Sequence, residues 1–237
     1  MRMRKKKHGE RRLAEVSSFL YKHEGEPLVC PCEVFGKCAP VYLEIGAGKG
    51  GFAQGMIEKN PDVCYFAMER VSDCVVLAAE GASEKGLFGS LRFVIDTADN
   101  LTKIFAPGTV DKIFLNFSDP WSKKGYAKRR LTHRRYLSVY LNLLKEGGTL
   151  RFKTDNVGLF DFTVEEIAAI GIEPHILTRD LHASDWQEDN VITEYERNFS
   201  SQGYKINMLE IRKPRGYEIE ISPELRADRT CYGCEND

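Results

Sequence analysis

The sequence predicts an α/β fold, a mostly parallel sheet with helices on both faces, and three observations predict it. Short apolar runs alternate with stretches of helical spacing along most of the 237 residues. The first apolar run ends in a glycine-rich loop that opens a helix. The next two runs each close on an acid. Strands alternating with helical stretches indicate βαβ units, and in such sheets ligands bind beyond the carboxyl ends of the strands.

The elements follow in order. Val41 to Ile45 reads as the first strand, ending at Gly46, and Gly51 to Lys59 as a helix that Asn60-Pro61 stops. Val63 to Met68 is a second strand closed by Glu69. Val71 to Lys85 has helical spacing and ends near Gly86. Leu91 to Ile95, closed by Asp96, is a third strand, and Val110 to Phe117 a fourth. Leu137, Tyr140, Leu141 and Leu144 recur at helical spacing and stop at Gly147-Gly148. Thr149 to Lys153 is a fifth strand, and Leu159 to Ile170 a helix. Beyond Pro174, Ile176 to Thr178 and Tyr204 to Ile211 read as strands and Thr193 to Ser201 as a helix. This late pair, hairpin-like, adds antiparallel strands at the sheet edge and brings the sheet to seven strands. No repeat, low-complexity tract or linker interrupts the pattern. A single domain is expected: a basic arm and entry segment at 1–39, a core at 40–213 and a C-terminal extension at 214–237.

A hydrophobic content of 42% and a charged content of 29% are those of a soluble globular protein. No apolar run approaches the ~20 residues of a membrane span. The basic start, Met-Arg-Met-Arg-Lys-Lys-Lys-His, leads into no apolar segment of the kind an export signal needs. A cytoplasmic protein with no membrane contact, monomeric or homodimeric, is expected. The balance of 34 basic and 35 acidic side chains hides an asymmetry. Residues 1–12 hold seven basic groups and one acid. Lys123, Lys124, Lys128, Arg129, Arg130, Arg134 and Arg135 follow one another with no acid between. Such patches suit a polyanion. The alternative is a frayed tail and a solvated helix face. It suffices for the first run, but the second adjoins a turn that looks like a site.

Gly46, Gly48 and Gly51 match G-x-G-x-x-G, where glycine permits a tight turn and close backbone approach to a ligand. Glu69 ends the second strand, where an acid can hold ribose hydroxyls. Glu44 decides which nucleotide-like ligand. A pyrophosphate wants amide donors and no nearby carboxylate. An anion two residues before the first glycine suits a ligand carrying an ammonium and a sulfonium, as S-adenosylmethionine does. Asp96 would then stand near the adenine. The alternative for Glu44, a structural partner for a loop cation, ranks lower because Tyr42, Leu43 and Ile45 place it near buried surface.

The combination L-E-I-G-A-G-K-G, N-F-S-D-P-W-S-K-K, K-R-R-L, F-K-T-D-N and T-E-Y-E-R-N-F-S resembles the bacterial tRNA (guanine-N7)-methyltransferase family, in order, from about Arg2 to Lys213. The resemblance implies a Rossmann-like class I S-adenosylmethionine-dependent methyltransferase fold. It also implies methyl transfer to N7 of the guanine at position 46, in the tRNA variable loop. By position it makes Glu44, Gly46, Gly48, Glu69, Asp96, Asn116 and Asp119 the cofactor-binding set, with Asp119 also the catalytic candidate. Lys123, Asp155 and the segment Thr193, Glu194, Tyr195 and Glu196 would contact the substrate. Lys124, Gly125, Tyr126, Ala127, Lys128, Arg129 and Arg130 would lie against RNA. Ser122 stands where the family commonly has Pro, and Gly125-Tyr126 where Arg-His is usual.

The cysteines stand apart. Cys30, Cys32 and Cys38 precede the first strand, and Cys231 and Cys234 form a C-x-x-C pair in the extension. A zinc ion held by Cys30, Cys38, Cys231 and Cys234, with Cys32 spare, is one reading. Free thiols are the other, and disulfides rank last in a reducing compartment. Cys64 and Cys74 read as core positions. His23, His175 and His182 make no metal pattern. Three other functions compete with the tRNA enzyme. One is a methyltransferase of this fold with another RNA or a small molecule as acceptor, another a catalytically silent RNA-binding module, and the last a dinucleotide oxidoreductase, which Glu44 disfavours.

Overall fold

The computed structural model describes residues 9–23, 25 and 28–217. Helix α1 (Gly9–Glu15) and the short α2 (Pro31–Phe35) lead into the sheet. Then β1 (Val41–Ile45), α3 (Gly51–Lys59), β2 (Cys64–Met68), α4 (Ser72–Glu84), β3 (Leu91–Val94), α5 (Leu101–Ile104) and β4 (Val110–Asn116) alternate. Next come α6 (Arg134–Leu143), β5 (Leu144–Thr154), α7 (Val157–Ala169), β6 (Ile176–Thr178), α8 (Glu194–Ser200) and β7 (Asn207–Arg212).

One seven-stranded sheet runs in the order β3-β2-β1-β4-β5-β7-β6. The first five strands are parallel; β7 is antiparallel to both β5 and β6. The expected antiparallel pair is present, but β7, the last strand among the described residues, inserts beside β5 and leaves β6 at the edge. This is the class I S-adenosylmethionine-dependent methyltransferase fold. Every residue of β1, β2 and β3 is buried, because helices cover both faces. Leu43, Phe66, Ile113 and Phe152 enter the core on one face, and Tyr42, Tyr65, Phe93 and Phe114 that on the other. The chain leaves β1 toward β2 on one side and returns to β4 on the other. The carboxyl ends of β1 and β4 therefore flank the crevice where the winding reverses. Among the described residues no helix is long and apolar enough to cross a membrane.

Helix α6 ends at Leu143 rather than at the glycine pair: Leu144 is already extended, and Gly147-Gly148 lie within β5. There Gly147 has φ +75°, and a Cβ on Gly148 would stand 3.0 Å from Asp111 O. The pair lies in the stretch of β5 where its register against β4 shifts. Cys38 forms a disulfide with Cys32, the cysteine read as spare, while Cys30 stays a free thiol as the N-cap of α2. The sulfur chemistry of Cys38 is thereby taken up locally, and Cys231 and Cys234 lie outside the described residues. Among the described residues no group of His, Cys, Asp and Glu is arranged to hold a metal ion. Cys64 is fully buried on β2, whereas Cys74 is only half-buried on α4. Residues 1–8 of the basic arm are outside the described set. Arg12 is not a free cation, because Nε and Nη2 both bond Glu80 of α4, at 2.7 and 2.6 Å.

Candidate active site

The glycine loop is shaped by backbone sign. Gly46, Gly48 and Gly50 have φ of +85°, +55° and +74°, a region where side chains with a Cβ are strained. A Cβ at Gly46 or Gly48 would meet nothing within 4 Å, so those positions keep an open face. At Gly50 it would stand 2.8 Å from Ala78 Cβ, where α3 closes on α4. Gly51, the third glycine of the sequence motif, has no positive φ and no close neighbour; Gly50 takes its structural role.

A cavity of about 640 Å³ opens at the strand ends, within the range that takes a nucleoside-sized ligand. Gly46, Glu69, Asp96, Asn116 and Asp119 line it together. Glu69 Oε2 accepts from Gly48 N at 3.0 Å, and Oε1 from Val71 N at 2.9 Å. These bonds aim the carboxylate and tie the glycine loop to the end of β2. Asp96 Oδ1 accepts from Thr97 N and Asn100 Nδ2 at 2.7 and 2.8 Å. Glu44 does not line the cavity. It is 2% exposed behind Asn116, whose Nδ2 donates to Glu44 Oε1 at 3.0 Å, while Tyr65 OH donates to Oε2 at 3.4 Å. Burial pushes its carboxyl up to about 7 against the opposing pull of the Asn116 bond, the Lys153 charge and the Tyr65 bond.

After β4 the chain turns sharply. Phe117 N donates to Lys153 O at 2.9 Å, and both Phe117 (φ +52°) and Trp121 (φ +40°) are left-handed without being glycine. Such conformations persist only where surrounding contacts enforce them. The turn presents Asp119 to solvent at the cavity rim, 3.6 Å from the exposed Arg70. Ser118 Oγ is buried with no hydrogen-bond partner, and Ser118 lines the cavity.

The basic run divides in two. Lys123, Lys124 and Lys128 are exposed, along with Gly125 and Tyr126, on or beside a 3₁₀ helix at Lys124–Arg129; Ala127 is half-buried. The arginines are tied to neighbouring groups, although Arg129 and Arg134 remain exposed. Arg129 lies over the rings of Trp121 and Tyr126, 5.2 and 4.7 Å from their centroids. Arg130 bonds the carbonyls of Pro120 and Trp121. Arg134 pairs with Glu166 at 2.8 Å and Arg135 with Asp99 at 3.0 Å. Five of the seven cations are thus exposed, but only the three lysines among them are free of the ring and carboxylate partners that engage Arg129 and Arg134.

The remaining expected substrate residues separate similarly. Tyr195 packs at a tilt of 39° against Phe117, centroids 4.8 Å apart, which brings α8 to the Asp119 turn. Burial, with the Asp155 carboxylate and its hydrogen bond, pushes the Tyr195 hydroxyl up to about 12. Thr193 caps α8, its Oγ1 accepting from Glu196 N at 2.9 Å, and exposed Glu194 reaches Lys49 at 3.1 Å. Glu196 is in the core, 0% exposed, bonded to Lys153, Asn190 and His182. It supports the site from beneath rather than entering the cavity. Sequence reasoning missed Lys153, Ser118 and Arg70.

The donor set fits S-adenosylmethionine. The glycine loop has an open face, carboxylates ring the cavity and suit hydroxyls and a cation, and Ser118, whose buried Oγ has no hydrogen-bond partner, is among the lining residues. Residues 38–209 match a family model described as "Putative methyltransferase". Among solved structures, the chain is similar to the 16S rRNA methyltransferase KamB (TM-score 0.59, 12% identity, covering 79% of this chain and 94% of that one). It is also similar to a 16S rRNA (adenine(1408)-N(1))-methyltransferase from Catenulisporales acidiphilia (0.55, 13%, 81% and 95%). A third likeness is to geranyl diphosphate C-methyltransferase from Streptomyces coelicolor A3(2) (0.52, 13%, 88% and 94%). These likenesses establish the fold and leave the methyl acceptor open.

Proposed function

The chain belongs to the bacterial tRNA (guanine-N7)-methyltransferase family, and from that premise we propose that it methylates N7 of the guanine at position 46 of tRNA. The observation that carries this reading is the Asp119 turn: an exposed carboxylate, held by two strained residues, on the rim of the cavity that Gly46, Glu69 and Asp96 line. When bound, S-adenosylmethionine supplies a methyl group on a sulfonium sulfur, whose carbon–sulfur bond breaks as the bond to N7 forms. Glu69, already oriented by two amide donors, has lone pairs left for ribose hydroxyls. Asp96 and Asn116 would hold the adenosine side, and Glu44 would supply negative charge behind Asn116 once a cationic ligand favours its carboxylate.

Guanine N7 carries a lone pair and no proton, so no residue has to act as a base. The site has chiefly to align acceptor and donor, which can supply much of the acceleration. Methylation leaves the guanine ring positive. Asp119 stabilises that developing charge, and a carboxylate there also suits the donors on the guanine's Watson–Crick edge. Tyr195 and Trp121 offer aromatic faces for stacking, and Lys123, Lys124 and Lys128 supply phosphate contacts.

The test is methyl transfer from labelled S-adenosylmethionine to an unmodified tRNA transcript, with the site located by the chemical lability of N7-methylguanine. Label at the variable-loop guanine is the expected result. No transfer across several tRNAs, from protein that binds the cofactor, would move the reading to another acceptor or to a silent RNA binder.

A further inference from the structure

Arg130 sits in the middle of the basic run, yet its guanidinium faces inward. Nε donates to Pro120 O at 2.9 Å and Nη2 to Trp121 O at 3.2 Å. The same group lies over the Phe162 ring of α7, 4.2 Å from its centroid. The two carbonyls follow directly on Asp119 and belong to the turn in which Trp121 is left-handed. The Asp119 side chain is 64% exposed, and among the described residues its one ion-pair partner is the similarly exposed Arg70. Its carboxylate therefore stands where the backbone of the turn puts it.

We propose that Arg130 is a positioning residue for Asp119, clamping the turn through two backbone carbonyls and anchoring it to α7 rather than contacting RNA. The proposal rests on Asp119 acting on the methyl acceptor. A planar fork with donors in fixed directions serves two consecutive carbonyls while its carbon sits over an aromatic ring. A lysine ammonium, a compact point charge, does not. Charge conservation thus separates the two roles: a phosphate contact tolerates lysine, and a clamp does not.

The experiment compares Arg130→Lys and Arg130→Met with Lys128→Ala in the full chain, using the tRNA transcript. For a clamp, both Arg130 variants lower kcat by about 10- to 100-fold, the scale of a misplaced reacting group. Their tRNA affinity and its salt dependence stay as in the parent protein. Lys128→Ala instead lowers the salt slope by about one phosphate. Wild-type kcat in Arg130→Lys, with weaker binding and a reduced salt slope in Arg130→Met, would make Arg130 a phosphate contact and overturn the proposal. A second readout needs no turnover. The chain has two tryptophans, so in a Trp186→Phe background Trp121 reports on the turn. Below the unfolding transition, Arg130→Lys raises acrylamide quenching of Trp121 if the clamp holds it; unchanged quenching overturns the clamp. A wild-type protein that methylates no tRNA sinks the functional reading, while quenching still decides Arg130.

Discussion

Lys153 and Glu196 form an ion pair sealed inside the protein, 2.7 Å apart with side chains 1% and 0% exposed. The pair joins β5 to α8 beneath the site. Lys153 Nζ also donates to Asn190 Oδ1 and Val191 O at 2.8 and 3.1 Å, which uses all three of its protons. Burial lowers the Lys153 ammonium, with Glu196 opposing it. Burial would raise the Glu196 carboxyl, but the Lys153 charge and the bonds from Lys153, His182 and Asn190 outweigh it and hold it below its ordinary value.

Breaking this pair from one side strands a charge. Glu196→Gln is expected to lower stability by about 3–5 kcal/mol in urea unfolding. A Lys153→Met/Glu196→Leu double variant is expected to recover much of that loss, because neither charge is then left buried alone. A single variant costing less than about 1 kcal/mol would mean that water reaches the pair.

The sheet is legible in the sequence because strands covered on both faces read as unbroken apolar runs, as Val41–Ile45 and Cys64–Met68 do. The acids at strand ends are legible for the same reason: each closes such a run. The end of α6 is not, because Leu144 keeps the helical burial rhythm while its backbone is already extended. Lys153 is not, because its burial depends on Glu196, 43 residues further on. The basic run misleads because a charge count does not see the rings, carbonyls and acids that engage Arg129, Arg130, Arg134 and Arg135.

The glycine loop gives a sharp contrast. Gly50→Ala must place a Cβ at positive φ and 2.8 Å from Ala78 Cβ. The left-handed backbone and the overpacking together are expected to cost about 2–4 kcal/mol. Gly51→Ala, at the first residue of α3 with open space around it, is expected to be neutral or to stabilise by up to about 1 kcal/mol. Thermal unfolding of the two variants checks this, and equal damage would restore the role of Gly51.

Asp119→Asn keeps the shape of the side chain and removes its charge. If Asp119 stabilises the charge developing on the acceptor, kcat falls by about 10²- to 10³-fold, the scale seen when one such group is lost. Stability should stay within about 0.5 kcal/mol, because the side chain is exposed and an exposed pair such as that with Arg70 contributes little. Near-normal turnover would remove Asp119 from the chemistry and leave the strained turn without its proposed purpose.

Glu44 links cofactor binding to pH. Its folded-state value of about 7 lies above the ordinary 4.5, chiefly through burial. A raised acid contributes stability that is fully present below the unfolded value and lost as pH climbs through the folded one. The difference amounts to about 3 kcal/mol between acid and neutral pH. Glu44→Gln should therefore flatten the fall in melting temperature across that window and make the ligand-free protein more stable at about pH 8. A cationic ligand in front of Asn116 reverses the balance by favouring the carboxylate. Binding of S-adenosylmethionine at about pH 6 should then release close to one proton, and almost none above about pH 8. Calorimetry in two buffers of different ionisation enthalpy measures that release. Its absence at the lower pH would mean that the ligand's positive charge lies away from Glu44, and that this acid serves the fold through Asn116 and Tyr65 alone.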